Sequence, residues 1–408
     1  MRHWNNSKYP VVGIFLAACV LVACETDESV PESELALDGL DSPATADSLA
    51  PRLTELDDER VLLSWLEVIE DGHALRFSIL EDREWSSPRS VIEGDDWFAN
   101  WADTPGIMAV GDHLFAHWLV SSGEGTFEYD IYAAWSDDEG ESWSEPFTVH
   151  LDGEQAEHGF LSGVELPDGA LGLAWLDGRH MVADPPGPMS LRWARFEPGS
   201  TEPGGKTKLD DRVCDCCMTA TVRTDEGNVV IYRDRDEDEL RDISTVSVDG
   251  SDVSEPRTLH EDGWRIPGCP VNGPSADFRE GTALTAWFTA ADQDPAVRLA
   301  SLDGQGQARW SERIDDGAPI GRTATAVLPG GDGLVLWIEQ EDGGGSLVAR
   351  RVGGPDTLSP VSRLADIDPG RGSGFPVVAM AGEAAVVAWT DTAEGGRQVR
   401  TGLLEVTD

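Results

Sequence analysis

The chain has 408 residues and a formal charge of −46, from 76 acidic against 30 basic side chains. A field of that sign repels polyanions, so nucleic acid is excluded as a long-range partner. The acidic excess itself reads as a solubility adaptation to a salty medium.

Arg2 and Lys8 precede an apolar run from Val11 to Ala23 that stops at Cys24. The run is too short for a permanent membrane span. It closes on Leu21-Val22-Ala23-Cys24, the small-residue pattern that precedes the acylated cysteine of bacterial lipoproteins. The expectation is a signal peptide over 1–23, lipidation at Cys24, and a bacterial envelope location at the outer membrane or the periplasmic face. Membrane contact would be through the lipid anchor only. Leu16-Ala17-Ala18-Cys19 has a similar pattern with a shorter apolar segment. Residues 24–50 are Asp, Glu, Ser, Pro and Ala with almost no large apolar side chain. Such a segment cannot offset its conformational entropy by burial and reads as an acidic, flexible tether.

From 51 to 408 one pattern recurs seven times: a short β run ending near an aromatic, a polar loop, then a second β run usually carrying Arg. The aromatics are Trp65, Trp118, Trp175, Tyr232, Trp287, Trp337 and Trp389, spaced by 50 to 57 residues. Segments such as Trp143-Ser144-Glu145-Pro146 and Ser254-Glu255-Pro256 follow the hairpins, and proline there marks an outer, edge strand. With an inner strand before each hairpin, every repeat holds four strands. The fold class is therefore all-β, a β-propeller of four-stranded blades, with seven favoured and six as the alternative. The last repeat lacks an outer strand, so the segment near Leu49 to Leu56 is expected to close the ring. The repeated aromatics read as packing between blades. The repeated third-strand arginines, Arg76, Arg192, Arg241, Arg298, Arg350 and Arg400, read as structural ion pairs.

Alignment of the repeats on their aromatics puts Arg212, Arg265, Arg322 and Arg371 at the starts of four consecutive inner strands, with His158 at the matching place one repeat earlier. Inner strands line the axial channel, so these groups would ring one mouth. Converging guanidiniums need an anion or carboxylates among them. Loops after the second strands add Arg179, Arg233 and Arg235. An anionic small molecule or glycan is one reading of this ring, and arginines paired with acids of neighbouring blades is the other. Cys216 and Cys269 lie four residues beyond Arg212 and Arg265, in the same register on adjacent inner strands. In an oxidising envelope a Cys216–Cys269 disulfide is the first expectation, with Cys217–Cys269 as the near neighbour. The alternative is a soft metal ion such as Cu(I) at Cys214, Cys216, Cys217 and Cys269. No other cofactor is expected.

Ser136-Asp137-Asp138-Glu139-Gly140-Glu141-Ser142-Trp143 resembles the Asp-box of bacterial sialidases and related propellers. Trp264-Arg265-Ile266-Pro267 is similar to the motif that carries a carboxylate-binding arginine in sialidases. Cys214 to Cys217 and Gly268 to Pro274 resemble segments of a bacterial lipoprotein subgroup described as sialidase-like. The resemblance implies a sialidase-like propeller that binds an acidic carbohydrate or other anion, with exo-glycosidase action as its enzymatic form. Retaining sialidases use a tyrosine nucleophile with carboxyl partners, which implies Tyr232 with Glu237 and Glu239 as catalytic candidates. The alternative function is a non-catalytic propeller serving as scaffold, binding module or soft-metal site.

Overall fold

The computed structural model describes residues 35–56, 59–392 and 396–406. Cys24 and the apolar run before it lie outside them. Among the described residues no helix is long and apolar enough to cross a membrane.

The strands assemble into seven antiparallel sheets of four or five strands, arranged as the blades of a propeller. Each blade runs from an inner strand outward. In blade 3, for example, His158–Glu165 pairs with Leu171–Asp177, then Ser190–Phe196, then Gly204–Asp210. The seven aromatics all sit on second strands and are at most 9% exposed. In four blades the aromatic lies directly across from the third-strand arginine, as Trp65–Arg76, Trp175–Arg192, Trp287–Arg298 and Trp389–Arg400. Those arginines, with Arg241 and Arg350, each reach an acid: Arg76 pairs with Glu93 at 2.9 Å, Arg298 with Asp262 at 3.1 Å and Arg350 with Asp316 at 2.8 Å. Each of these charges is thereby paired within the sheet edge or its adjoining loops.

The turn at 136–143 is held by one carboxylate and one hydroxyl. Asp138 accepts from the Ser142 N–H at 2.9 Å, and Ser136 Oγ accepts from the Gly140 N–H at 2.8 Å. Gly140 has φ +81°, and a Cβ there would lie 2.5 Å from the Phe77 ring, so glycine is required. Trp143 meets the same ring edge-on at 6.1 Å, fastening blade 2 to blade 1.

The ring closes elsewhere than expected. Ser48–Glu55 is the inner strand of blade 1, paired with Val61–Ile69, and does not complete the last blade. That role falls to Leu37–Leu40, inside the stretch read as tether, which pairs with Gln398–Glu405 in the register Leu37↔Leu404 to Leu40↔Thr401. Glu55 adds a second tie, accepting from the Met380 N–H of blade 7 at 2.8 Å and pairing with Arg279 of blade 5 at 2.5 Å. The axial cavity between the inner strands, about 410 Å³, is lined largely by small and hydroxylated side chains. Ser162 Oγ lies 2.7 Å from the hydroxyls of both Thr219 and Thr221, and Ser275 Oγ lies 2.7 Å from Thr325 Oγ1.

Removing the chain through Leu40 is expected to lower the midpoint of chemical denaturation and to expose Gln398–Glu405 to protease first. An unchanged midpoint would show that closure does not rest on this pairing. Trp337→Ala, which empties a fully buried site between blades, is expected to cost about 3–5 kcal/mol in the same measurement.

Candidate functional site

Antiparallel pairing places the start of every inner strand beside the end of the second strand, as in His158↔Asp177. The loops that lead into inner strands and those that join second to third strands therefore share one face of the propeller. Every residue proposed from the sequence as a ligand-binding, catalytic or cysteine site lies on that face. The structure sorts them into separate groups.

Arg233 and Arg322 are buried, and their main partners are backbone carbonyls rather than acids. Arg233 donates to the carbonyls of Asn272 at 2.8 Å, Arg241 at 2.6 Å and Phe288 at 2.7 Å, with its guanidinium 4.8 Å from the Trp264 ring. Arg322 donates to the carbonyls of Gly370 at 2.8 Å, Gly374 at 3.2 Å and Pro369 at 3.1 Å and to Ser373 Oγ at 2.8 Å. Burial lowers its pKa to about 10, partly offset by Asp368. Both donor sets are consumed in holding loops. Arg322 still shares the Trp101 ring with Arg371, their guanidiniums 5.0 Å and 5.8 Å from it, whereas Arg212 and Arg265 have no contact with that ring among the described residues, so the four arginines expected to converge do not form one site. Arg265 is exposed and donates to the Asp238 carbonyl at 3.1 Å. Arg212 is half-buried on the turn leading to the cysteines. Only Arg322 of the four lies on an inner strand, Pro319–Val327; the others precede theirs.

His158 and Arg179 belong to a tight ion-pair network. The rings of His150 and His158 stack at 3.7 Å between Asp130 and Asp152, and each histidine has a nitrogen 3.0 Å from Asp152. Arg179 donates to both oxygens of Asp177 at 2.6 Å and pairs with Asp152 at 2.8 Å. Trp175 Nε1 donates to Asp177 at 2.9 Å, tying the network to the blade core. Burial would lower the His158 pKa, but hydrogen bonds to Asp130 and Asp152 and the Asp177 charge raise it to about 9.

Tyr232, Glu237 and Glu239 do not meet. The Tyr232 ring is fully buried, its hydroxyl donates to Asp210 at 2.5 Å, and burial drives its pKa upward. Glu237 is exposed on the following turn. Glu239 is clamped by Arg235 and Arg241 at 2.8 Å each, which holds its carboxyl down at about 2. A fully buried tyrosine and a doubly paired glutamate suit structural roles better than proton transfer.

The cysteines do converge, though not as two matching strands. Cys214 to Cys217 form a turn ahead of the inner strand Ala220–Thr224. Cys214 Sγ lies 3.7 Å from Cys216 Sγ and 3.3 Å from Cys217 Sγ, and Cys269 Sγ lies 3.7 Å from Asp215 Oδ1. All four thiols are free in this structure, so the Cys216–Cys269 bond expected from the sequence is not formed. Hydrogen bonds from Cys216 and Cys217, then the charges of Arg241 and Arg233, hold the Cys214 thiol well below its usual range. Cys216 and Cys217 are pushed up, the first by its sulfur neighbours and the second by burial. The donor atoms of Cys214, Cys216 and Cys217 lie within 4.8 Å of one another, a cluster able to hold a metal ion.

Two features of this face were not singled out from the sequence. One is a cleft of about 420 Å³ in which Asn100 and Trp101 meet His73, Arg371 and Arg397. Arg371 and Arg397 are exposed. Trp101 stacks on Phe375 at 5.8 Å, and the Arg371 guanidinium sits 5.8 Å from its ring. The other is a carboxyl pair, Asp103 buried and Glu157 half-buried, bridged by a phenol: Tyr129 Oη donates to Asp103 at 2.8 Å and lies 3.2 Å from Glu157 Oε1. Burial raises Asp103 to about 7 and, together with Asp103 itself, raises Glu157 to about 8. Gly159 makes this contact possible, since a Cβ there would fall 1.8 Å from Asp103 Oδ2. Trp101 and Asp103 lie in the blade 1 to blade 2 connection, outside every repeat signal, which is why periodicity passed over them.

No family model matches the chain, and no curated protein matches it. Solved structures similar to it include an ulvan lyase of a polysaccharide lyase family, bound to -[GlcA(1-4)Rha3S]-, at 11% identity and TM-score 0.55 over 91% of this chain and 95% of that one. A Hadza microbial sialidase aligns at 13% identity and TM-score 0.47 over 88% of this chain and 66% of that one. The Penicillium chrysogenum alpha-L-arabinanase aligns at 11% identity and TM-score 0.47 over 91% of this chain and 98% of that one. At such identities the likeness establishes the propeller fold and nothing finer.

The histidine network predicts a pH dependence. A folded pKa near 9 against an ordinary 6.5 gives a contribution fully present below about pH 6.5 and lost as pH rises through 9. Its size is about 3 kcal/mol. His158→Gln, which cannot carry the charge, is expected to flatten the wild-type fall in stability across that window, measured by denaturation at stepped pH. The same slope in both proteins would place the titration elsewhere.

Proposed function

We propose that the protein is an envelope-anchored propeller, held through Cys24, that binds an acidic carbohydrate in the cleft around Trp101. The observation that carries the reading is a pair of exposed arginines, Arg371 and Arg397, beside an aromatic wall in a chain of net charge −46. Arg371, over Trp101, and Arg397 make no ion pair among the described residues, so in so acidic a protein they concentrate positive potential where a carboxylate or sulfate would dock, and Arg matches such groups with two parallel hydrogen bonds. Trp101 supplies the apolar surface against which a sugar ring packs, and Asn100 and His73 supply polar contacts. That one similar solved structure is a lyase bound to a uronate-containing saccharide agrees with this ligand class.

A second reading adds hydrolysis of the sialidase type. It rests on Asp103 and Glu157, whose raised pKa values keep a proton on the pair at neutral pH, as a general acid requires. Glu157 is only partly buried and is the member able to face a ligand.

The test is titration calorimetry with uronate- and sialate-terminated oligosaccharides. Arg371→Ala and Arg397→Ala are each expected to weaken binding by about ten-fold or more, given about 1.5–3 kcal/mol per hydrogen bond to a charged group. Affinity should also fall with added salt. Equal affinities in wild type and both variants would remove the cleft as the site. Glu157→Gln should keep binding and abolish sugar release if the second reading holds, whereas a wild type that binds without release would rule hydrolysis out.

A further inference from the structure

The two cysteine-bearing segments form one structural unit. Gly273 of the Gly268–Pro274 loop packs on the backbone of Met218, where a Cβ would lie 2.1 Å from the carbonyl oxygen, so no other residue allows the approach. Asn272 in the same loop accepts from Arg233 through its carbonyl at 2.8 Å and from the Arg322 N–H through Oδ1 at 2.7 Å. On the other side, the Cys214 N–H donates to the Arg233 carbonyl at 3.0 Å, and Val213 bridges to Asp234. Arg233 thus sits behind both segments and sets their spacing. The outcome is a donor cluster: Cys214, Cys216 and Cys217 within 4.8 Å of one another, and Cys216, Asp215 and Cys269 likewise.

Three sulfurs in mutual reach do not fit a disulfide, which joins two sulfurs at about 2.05 Å and would leave the third behind. They do fit a metal. Four sulfurs at about 2.3 Å from a tetrahedral ion lie about 3.8 Å apart, and a trigonal thiolate site is similar in size. The observed 3.7 Å and 3.3 Å separations need only slight opening. An independent observation points the same way. Arg241 is 2% exposed and donates from Nη1 to Cys214 Sγ at 3.1 Å, while its Nη2 pairs with Glu239 at 2.8 Å. A buried guanidinium aimed at sulfur calls for an anionic thiolate, and it supplies the outer-shell hydrogen bond and charge balance that metal thiolates require. Arg235, 3.6 Å from Asp215, adds a second cation.

We propose that Cys214, Cys216 and Cys217, completed by Cys269, bind one thiophilic d10 metal ion, Cu(I) or Zn(II), at the junction of blades 4 and 5. The site is independent of the sugar cleft. All-sulfur donors select these ions over hard cations. The half-buried and exposed positions of Cys216 and Cys269 leave a route from solvent.

The experiment uses the full chain, purified under reducing conditions without chelator, with metal per chain measured directly. The stripped protein is then titrated with Cu(I) against bicinchoninate and with Zn(II) against a chromogenic chelator, and with Co(II) to read sulfur-to-metal charge-transfer absorption. One ion per chain with thiolate absorption is expected. Competition in the copper arm alone assigns a copper site, and competition in the zinc arm assigns a four-sulfur zinc site. Cys214→Ser should abolish the absorption. Cys269→Ser, at an exposed position that threatens folding least, should weaken affinity about ten-fold or more. Four reactive thiols with no competition in either arm would overturn the proposal. So would a Cys216–Cys269 disulfide in protein purified without reductant, or affinity unchanged by Cys269→Ser together with unchanged absorption in Cys214→Ser.

Discussion

A four-stranded sheet with apolar side chains on both faces can be kept from water only by another such sheet on each side, and here seven of them satisfy one another around a circle. The large aromatic on each second strand fills the wedge that opens between blades as they fan outward. Trp65, Trp175, Trp287 and Trp337 are among the largest fully buried side chains. A circle of this kind has no free face but does have a seam. Leu37–Leu40 pairs across it with Gln398–Glu405, converting an open stack into a closed ring.

That closure gives the functional face its character. Connections between blades have to travel from the outer edge of one sheet to the axis of the next. Buried arginines hold them: Arg233 donates to the carbonyls of Asn272 and Phe288 on the blade 5 side, and Arg322 to those of Pro369, Gly370 and Gly374 in the loop leading to blade 7. Carbonyl acceptors in a fixed loop satisfy a desolvated guanidinium without adding a negative charge. Arg322→Met or similar changes would leave those carbonyls unpaired.

Charge is distributed unevenly for the same reason. Most arginines are spent on ion pairs or carbonyl cages, and the acids left over face solvent. Against that background the cleft holding Arg371 and Arg397 and the thiol cluster backed by Arg241 are local exceptions. The Asp103–Tyr129–Glu157 group is a third, where burial raises two carboxyls to about 7 and about 8 in a protein otherwise full of carboxylates.

The sequence by itself determined the architecture, because a buried aromatic recurring every 50 to 57 residues on an apolar run is a local signal repeated seven times. It also singled out the Cys214–Cys217 and Gly268–Pro274 segments, whose unusual composition is visible without coordinates. It did not reveal that Leu37–Leu40 closes the ring, since a four-residue strand with two apolar side chains carries no periodicity and acts only through its partner 360 residues away. Nor could it separate the arginines. Arg322 and Arg371 look alike when repeats are aligned, and what distinguishes them is that Arg322 is buried among the carbonyls of a neighbouring loop while Arg371 is exposed. Arg397 lies in the hairpin turn of blade 7, Trp101 in the connection from blade 1 to blade 2 and His73 at the start of a blade 1 strand, Gly72–Glu81, and they meet only when blades 1 and 7 are brought together. Strand pattern is decided by alternation along a few residues, whereas a site on the rim is decided by which loops the closed ring places side by side.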